Sequence, residues 1–254
     1  MIKFFRKIRK NLLMENKTGK YFTYAIGEIV LVVIGILIAL QVNNRNEYQK
    51  ERKSEIRYLE RIKSDLMQDS ISISGAIRTN LKRKKRAEYL LQLSKNKVRG
   101  IDRPTYFVQS IEFAGYTHSP RQTDHTYEEI KSAGNMSLIL NEDLRTQISS
   151  YYAEVENRSQ YRFITQQIQL KYLDYRVGIL TDAQQIQMGS FRDSIAYSRD
   201  EAKDVLNRML SKEKFITLLP SVIHSKIRTH ENLDRRYGNT KQLIELIDKE
   251  LKKK

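Results

Sequence analysis

Traced by where apolar residues recur, the chain divides into one unbroken run followed by a series of narrow stripes. Residues 21–42, YFTYAIGEIVLVVIGILIALQV, hold 17 apolar residues out of 22. At about 1.5 Å per residue a helix of that length spans roughly 33 Å, enough for a hydrocarbon core of about 30 Å. Tyr21, Phe22 and Tyr24 stand where an interfacial aromatic belt is expected, and Gln41, Asn43, Asn44 and Arg45 close the far end. The run at 29–40 is too apolar for one face of a core helix. Its end, IALQVNN, lacks the small residues of a cleavage site. The pattern predicts an uncleaved transmembrane signal anchor.

From Asn43 the pattern changes to a stripe. Ile56, Leu59, Ile62, Leu66, Ile73 and Ile77 recur at spacings of three, four or seven among charged neighbours. That predicts a long stalk-like helix over 43–96, pairing along a coiled-coil-like seam. KVRG at 97–100 breaks it, and Pro104 opens a short helix through about Ala114. Residues 115–125 read as a loop. Thr126 and Glu129 have capping-box spacing before a short helix that Gly134 stops. Asn141 caps a helix expected to run to about Val177, and 178–190 reads as a connection. A last helical region runs from about Arg199 to Tyr237 with a break near Pro220, and Gly238 sets off a terminal helix. No segment alternates long enough to demand a strand. The expected fold is therefore all-α: a basic tail at 1–20, an anchor at 21–42, a stalk at 43–96 and a helical bundle at 97–254.

Charge changes the picture only once it is placed. The 254 residues carry 46 Lys plus Arg against 30 Asp plus Glu, a formal net charge of +16. Clustered basic residues can signal nucleic acid. Here the first twenty residues hold seven basic side chains and one acid, and the remainder is spread thinly. Ile2, Phe5 and Leu12 recur at helical spacing opposite Lys3, Arg6, Lys7, Arg9 and Lys10. The tail is expected to lie in the headgroup plane with those five cations on anionic lipid. The basic run at 82–86 has no interleaved aromatics and reads as an exposed helix face. Lys and Arg nearly tie on the two sides of the span, seven in 1–20 against six in 43–62. A short basic tail before a long C-terminal domain places the N-terminus in the cytoplasm and the bulk in the periplasm, on the inner membrane.

Glu28 is the costly residue of the span. On a helical wheel Gly35 and Ala39 lie about 20° from it, so one face combines small residues with a carboxyl. That face suits close interhelical packing or a proton-linked role, and Glu28 near the inner interface can also simply snorkel.

Candidate chemistry is sparse. With no Cys there is no disulfide, thiolate metal site or Cys nucleophile. Three Pro and ten Gly exclude a turn-rich sandwich or a collagen-like chain. His224 and His230 fall on different helix faces. His118, Asp124 and His125 share a loop that could contribute to a metal site or be merely polar. No hydrolase, zincin or phosphate-loop pattern appears, so neither an enzyme nor a cofactor is expected.

The segment TGKYFTYAIGEIVLVVIGILIALQVNN at 18–44, with its basic start MIKFFRKIRKNLL, resembles an uncharacterised family of single-pass membrane proteins of Bacteroidota, DUF6090. TYEEIKSAGNMSLILNEDLRTQISSYY at 126–152 is similar to that family's second typical block. A Trp is common in the family where this chain has Arg45, so the outer interfacial anchor is expected to differ. The resemblance implies an envelope location and no assigned activity. It directs attention to Thr126, Tyr127, Glu129, Ser132, Gly134 and Asn135 as a partner or ligand segment. The expectation is a non-enzymatic membrane-anchored protein that works by partner association or sensing, in contact with the bilayer. Its partner would be a second copy or another envelope membrane protein. The alternatives are a proton-coupled energy-transducing subunit using Glu28, and nucleic-acid binding if the bulk faces the cytoplasm.

Overall fold

The computed structural model describes residues 18–96, 101–156, 159–189 and 195–253. The tail cations Lys3 to Lys10 lie outside that set, as does the break at 97–100. Among the described residues there are helices and no strand. The chain is all-α.

The first helix, α1 (Thr18–Asn96), contains both the apolar run and the stripe. Two units compose the chain, Met1–Arg57 and Tyr58–Lys254, so the division falls inside the segment read as stalk. In the first unit Ile29, Leu31 and Leu37 are all more than half exposed. The most apolar window of α1 has a mean hydropathy of 2.6 and none of it is buried, so α1 is long and apolar enough to cross a membrane. Glu28 is half-buried along the helix. Gly35 has open space where a Cβ would stand.

In the second unit, the rest of α1 packs with α2 (Pro104–Phe113), α3 (His125–Ser132), α4 (Glu142–Glu156), α5 (Ser159–Tyr175), α6 (Asp182–Met188), α7 (Arg199–Leu210) and α8 (Glu213–Leu251). The stripe is buried within this one chain: Leu59, Ile62, Leu66 and Ile73 have no exposed surface. Two apolar cores result. One gathers Leu59, Ile62 and Leu66 with Ile130, Ile148 and Ile247. The other gathers Ala87 and Leu90 with Phe107, Tyr172, Phe215 and Leu219. A small cluster of Ile73, Ala76 and Leu233 lies between them. Early α1 positions thus meet late α8 positions, and the two helices run antiparallel.

Several boundaries depart from the sequence expectation. The helix expected from Asn141 to Val177 is described in two stretches, α4 and α5, with residues 157–158 outside the described set, and its last turn ends at Tyr175. Asn141 does cap α4, its Oδ1 accepting from Leu144 N–H at 3.1 Å. The connection at 178–190 contains α6, because Thr181 and Gln184 form a capping box. Near the C-terminus the break falls at Ser211 and Lys212, whereas α8 continues through both Pro220 and Gly238. Pro220 is exposed between buried Leu219 and Val222, so packing on the inner face carries the helix past its missing N–H. Gly238 faces open space, a propensity cost of about 1 kcal/mol that the buried Arg236, Thr240 and Leu243 outweigh.

Candidate functional site

Between the two cores, beside the small Ile73–Ala76–Leu233 cluster, the interior is largely polar. On α1, Asp65, Asp69, Ser72 and Asn80 interrupt the apolar stripe; the last three reach the loop at 115–124, and Asp65 reaches the first turn of α3. Asn80 grips the His118 backbone twice, donating to its carbonyl at 2.8 Å and accepting its N–H at 3.1 Å. Ser72 Oγ accepts from Arg121 N–H at 2.8 Å, and Asp69 Oδ1 from Thr123 N–H at 2.7 Å. Asp65 accepts from Thr126 N–H at 3.2 Å. A loop laid against a helix must find partners for its backbone groups, and these side chains supply them.

Lys226 of α8 holds the same loop from the other side. Its Nζ donates to the carbonyl of Tyr116 at 2.7 Å and to Thr117 Oγ1 at 2.6 Å. The side chain is fully buried and its acceptors are neutral. Burial, with Arg83 adding repulsion, brings its pKa down to about 7.

Asp69 anchors a buried network. Its Oδ2 accepts from Tyr151 OH at 3.1 Å and from Arg236 Nη2 at 3.2 Å. Tyr151 also shares a hydrogen bond with Thr240 at 3.0 Å. Both members of the ion pair are buried, so each charge depends on the other and on these extra bonds.

Above this network opens a cleft of about 520 Å³. The ordered loop forms one wall, through His118, Ser119 and Gln122. Tyr161, Arg162, Thr165, Gln166 and Gln169 of α5 form the second, and Thr229, Asn232, Leu233 and Arg236 of α8 the third. The spacings within α5 and α8 put each set on one helix face. Tyr161 OH donates to the Ser225 carbonyl at 3.2 Å and shares a hydrogen bond with Thr229 Oγ1 at 3.1 Å, bridging the two helices. Beyond that bridge a second cavity of about 400 Å³ shares Tyr161, Thr165 and Asn232 with the first.

The sequence-expected segment stands elsewhere. Thr126 and Tyr127 are buried. Tyr127 stacks on Tyr152 with ring centroids 4.2 Å apart. Thr126 and Glu129 do not form a capping box: α3 starts at His125 with Asp124 in the cap position and no side-chain cap bond. Glu129 instead meets Arg61 of α1 in a two-pronged ion pair of 2.9 and 2.5 Å, which lowers the carboxyl's pKa. Ser132 Oγ donates back to the Glu128 carbonyl at 2.6 Å, and Gly134 takes the left-handed conformation (φ 69°) that ends the helix before Asn135. The segment docks α3 onto α1; it is not part of the cleft. Nor does the loop bring His118, Asp124 and His125 into a metal site: among the described residues no group of three such side chains could hold an ion.

The basic run at 82–86 is only partly an exposed face. Arg86 lies 4.6 Å from the centre of the Tyr106 ring and donates to Ser110 Oγ at 3.3 Å, while Arg83 lies 5.9 Å from Tyr116. Burial against these groups lowers both guanidinium pKa values. The aromatics come from α2 and the loop after it, so local sequence could not reveal them.

Sequence reasoning missed Asp69, Asn80, Lys226 and Arg236. The available signal was polar residues at core positions: Asp69 stands between Leu66 and Ile73 at helical spacing from both.

Fold and site together define an all-α protein with, among the described residues, one apolar helix of membrane-spanning length and a helical bundle holding a polar cleft. The chain belongs to the family of unknown function DUF6090, whose family model matches residues 28–184. No curated protein and no solved structure matches it. The matched stretch includes the loop and α5 walls of the cleft, and α8 lies beyond it.

Proposed function

We propose that the chain is a single-pass membrane protein of the cell envelope whose bundle works by binding, as a sensing or partner-association module outside the cytoplasm. The observation that carries this reading is the contrast along α1. Apolar side chains of 26–42 are bare on every side, while from Leu59 onward the inward face is buried. Bare apolar surface on that scale is stable only in lipid or against other protein. The basic tail then faces the cytoplasmic leaflet, and the polar cleft is the surface available for a ligand.

The Cys-free chain makes the test direct. Ser119→Cys, on the cleft wall, is expected to react with a membrane-impermeant maleimide applied to spheroplasts; labelling only after lysis would overturn the location. A photo-crosslinking residue replacing Gln166 is expected to capture an envelope component that the same residue at the exposed Glu88 does not. Equal capture at both positions would remove the cleft as the binding surface.

A further inference from the structure

The two cavities along α5 and α8 carry an unusual charge inventory. Arg162, Arg228 and Arg236 line them, with His118 and His224, and no Asp or Glu lines either one among the described residues. The acids nearby stand behind or beside these arginines and outside the lining. Asp69 lies fully buried beneath Arg236, and Glu231 meets Arg228 at the exposed rim at 3.4 Å. The charged side chains that line the two cavities are therefore all basic, and Arg236 and Arg228 are each part-compensated by a carboxylate outside the lining.

Two polar atoms of this region have no hydrogen-bond partner among the described residues: Arg236 Nε and Thr165 Oγ1. Both belong to side chains at least nine-tenths buried that line the cleft. Buried donors are nearly always paired, and an unpaired guanidinium N–H in particular calls for an oxygen acceptor. Both atoms are covered, so a small side-chain turn accompanies any acceptor that reaches them.

The rest of the lining narrows the class. Gln122, Gln166 and Asn232 present amides that donate and accept at once, which matches hydroxyl groups doing the same. The Tyr161 ring offers a flat apolar patch for a C–H face, with Leu233 beside it. A volume of about 520 Å³ falls within the usual range for small-ligand sites. A peptide would call for a free sheet edge or a run of apolar pockets.

We propose that the α5–α8 cleft binds an acidic saccharide, a hydroxyl-rich body carrying a carboxylate or phosphate that seats against Arg236 and the rim arginines. This rests on the binding role proposed above and names its ligand class.

The test is calorimetric titration of the full chain in nanodiscs of zwitterionic lipid. Digalacturonate and glucose 6-phosphate are the acidic probes, with maltose as neutral control and tetraglutamate as acidic peptide. Saturable binding of either acidic sugar is expected, stronger for digalacturonate if the source is a carboxylated sugar and for glucose 6-phosphate if it is phosphorylated. Maltose is expected to bind at least about tenfold more weakly. Arg162→Gln and Arg228→Gln, both on exposed side chains, are expected to weaken the acidic probe about tenfold each with unchanged helicity. Thr165→Val tests the floor without disturbing the ion pair, and is expected to weaken it severalfold. Maltose binding as well as the acids, tetraglutamate binding more tightly than either sugar, or no binding by any probe would each overturn the proposal. Capture at position 166 in cells without probe binding would remove the ligand class and leave the anchored binding role standing.

Discussion

Around Tyr172 and Phe215, side chains with no exposed surface pack on other apolar groups, and the Tyr172 hydroxyl finds the Ile111 carbonyl at 2.9 Å. Around Asp69 and Arg236, the same two long helices are joined by an ion pair, a tyrosine, a threonine and a loop backbone. Apolar packing tolerates neighbours of about the right size, because its energy follows area and volume. A buried polar network tolerates much less, since each group left without its partner keeps the cost of lost water. The cores hold the bundle together, and the polar middle fixes the loop that walls the cleft.

The sharpest way to break this contrast is Asp69→Ala. It strands a buried guanidinium and is expected to cost about 3–5 kcal/mol in urea unfolding of the full chain. Adding Arg236→Met should recover most of that loss, which no second substitution would do for a cavity cut beside Phe215. Failure of the rescue would mean that the middle is stabilised mainly by packing.

Gly115 marks the junction of the two regions. A Cβ there would stand 2.0 Å from the Tyr172 ring, which is fully buried and cannot swing away. Gly115→Ala is expected to cost about 1–3 kcal/mol by overpacking, read as a lowered unfolding midpoint with an unchanged slope.

Lys226 separates the regions by pH. In the unfolded chain it keeps the ordinary value of 10.5, and in the bundle it falls to about 7. Between these the unfolded chain holds the extra proton, so stability is expected to climb from pH 7 towards 10. Burial raises Tyr172 and Tyr152, so above pH 10 the unfolded chain loses protons that the fold retains and stability falls. Lys226→Met should flatten the climb and leave the fall. An unchanged climb in the variant would assign it to the net charge of the whole chain instead.

Smallest of all should be Glu129→Gln. Its partner Arg61 is well exposed and water screens the pair. No change in unfolding midpoint beyond scatter is expected, in contrast to Asp69.

The helical class, the apolar run, the stripe from Leu59 to Ile73 and the Asn141 cap were all legible from periodicity and local chemistry. What escaped has a common cause. Pro220 and Gly238 read as breaks because propensity is local, while the packing that overrides them comes from α1, more than a hundred residues away. The cleft was hidden for the same reason. Tyr161, Thr165 and Gln169 recur at helical spacing, but their polar face gains meaning only when Thr229 and Arg236 are set opposite.

The grip of α8 on the loop has a consequence for biosynthesis. Synthesis at roughly 5–20 residues per second leaves a delay of about 6–20 s between the emergence of Thr123 and of Arg236. Throughout that interval Asp69 is made but uncompensated, and the loop lacks the lysine that fastens it. A nascent or prematurely terminated chain therefore carries the complete apolar helix and an unfinished cleft. Such a product leaves the Asp69 carboxylate without its arginine in an unfinished interior.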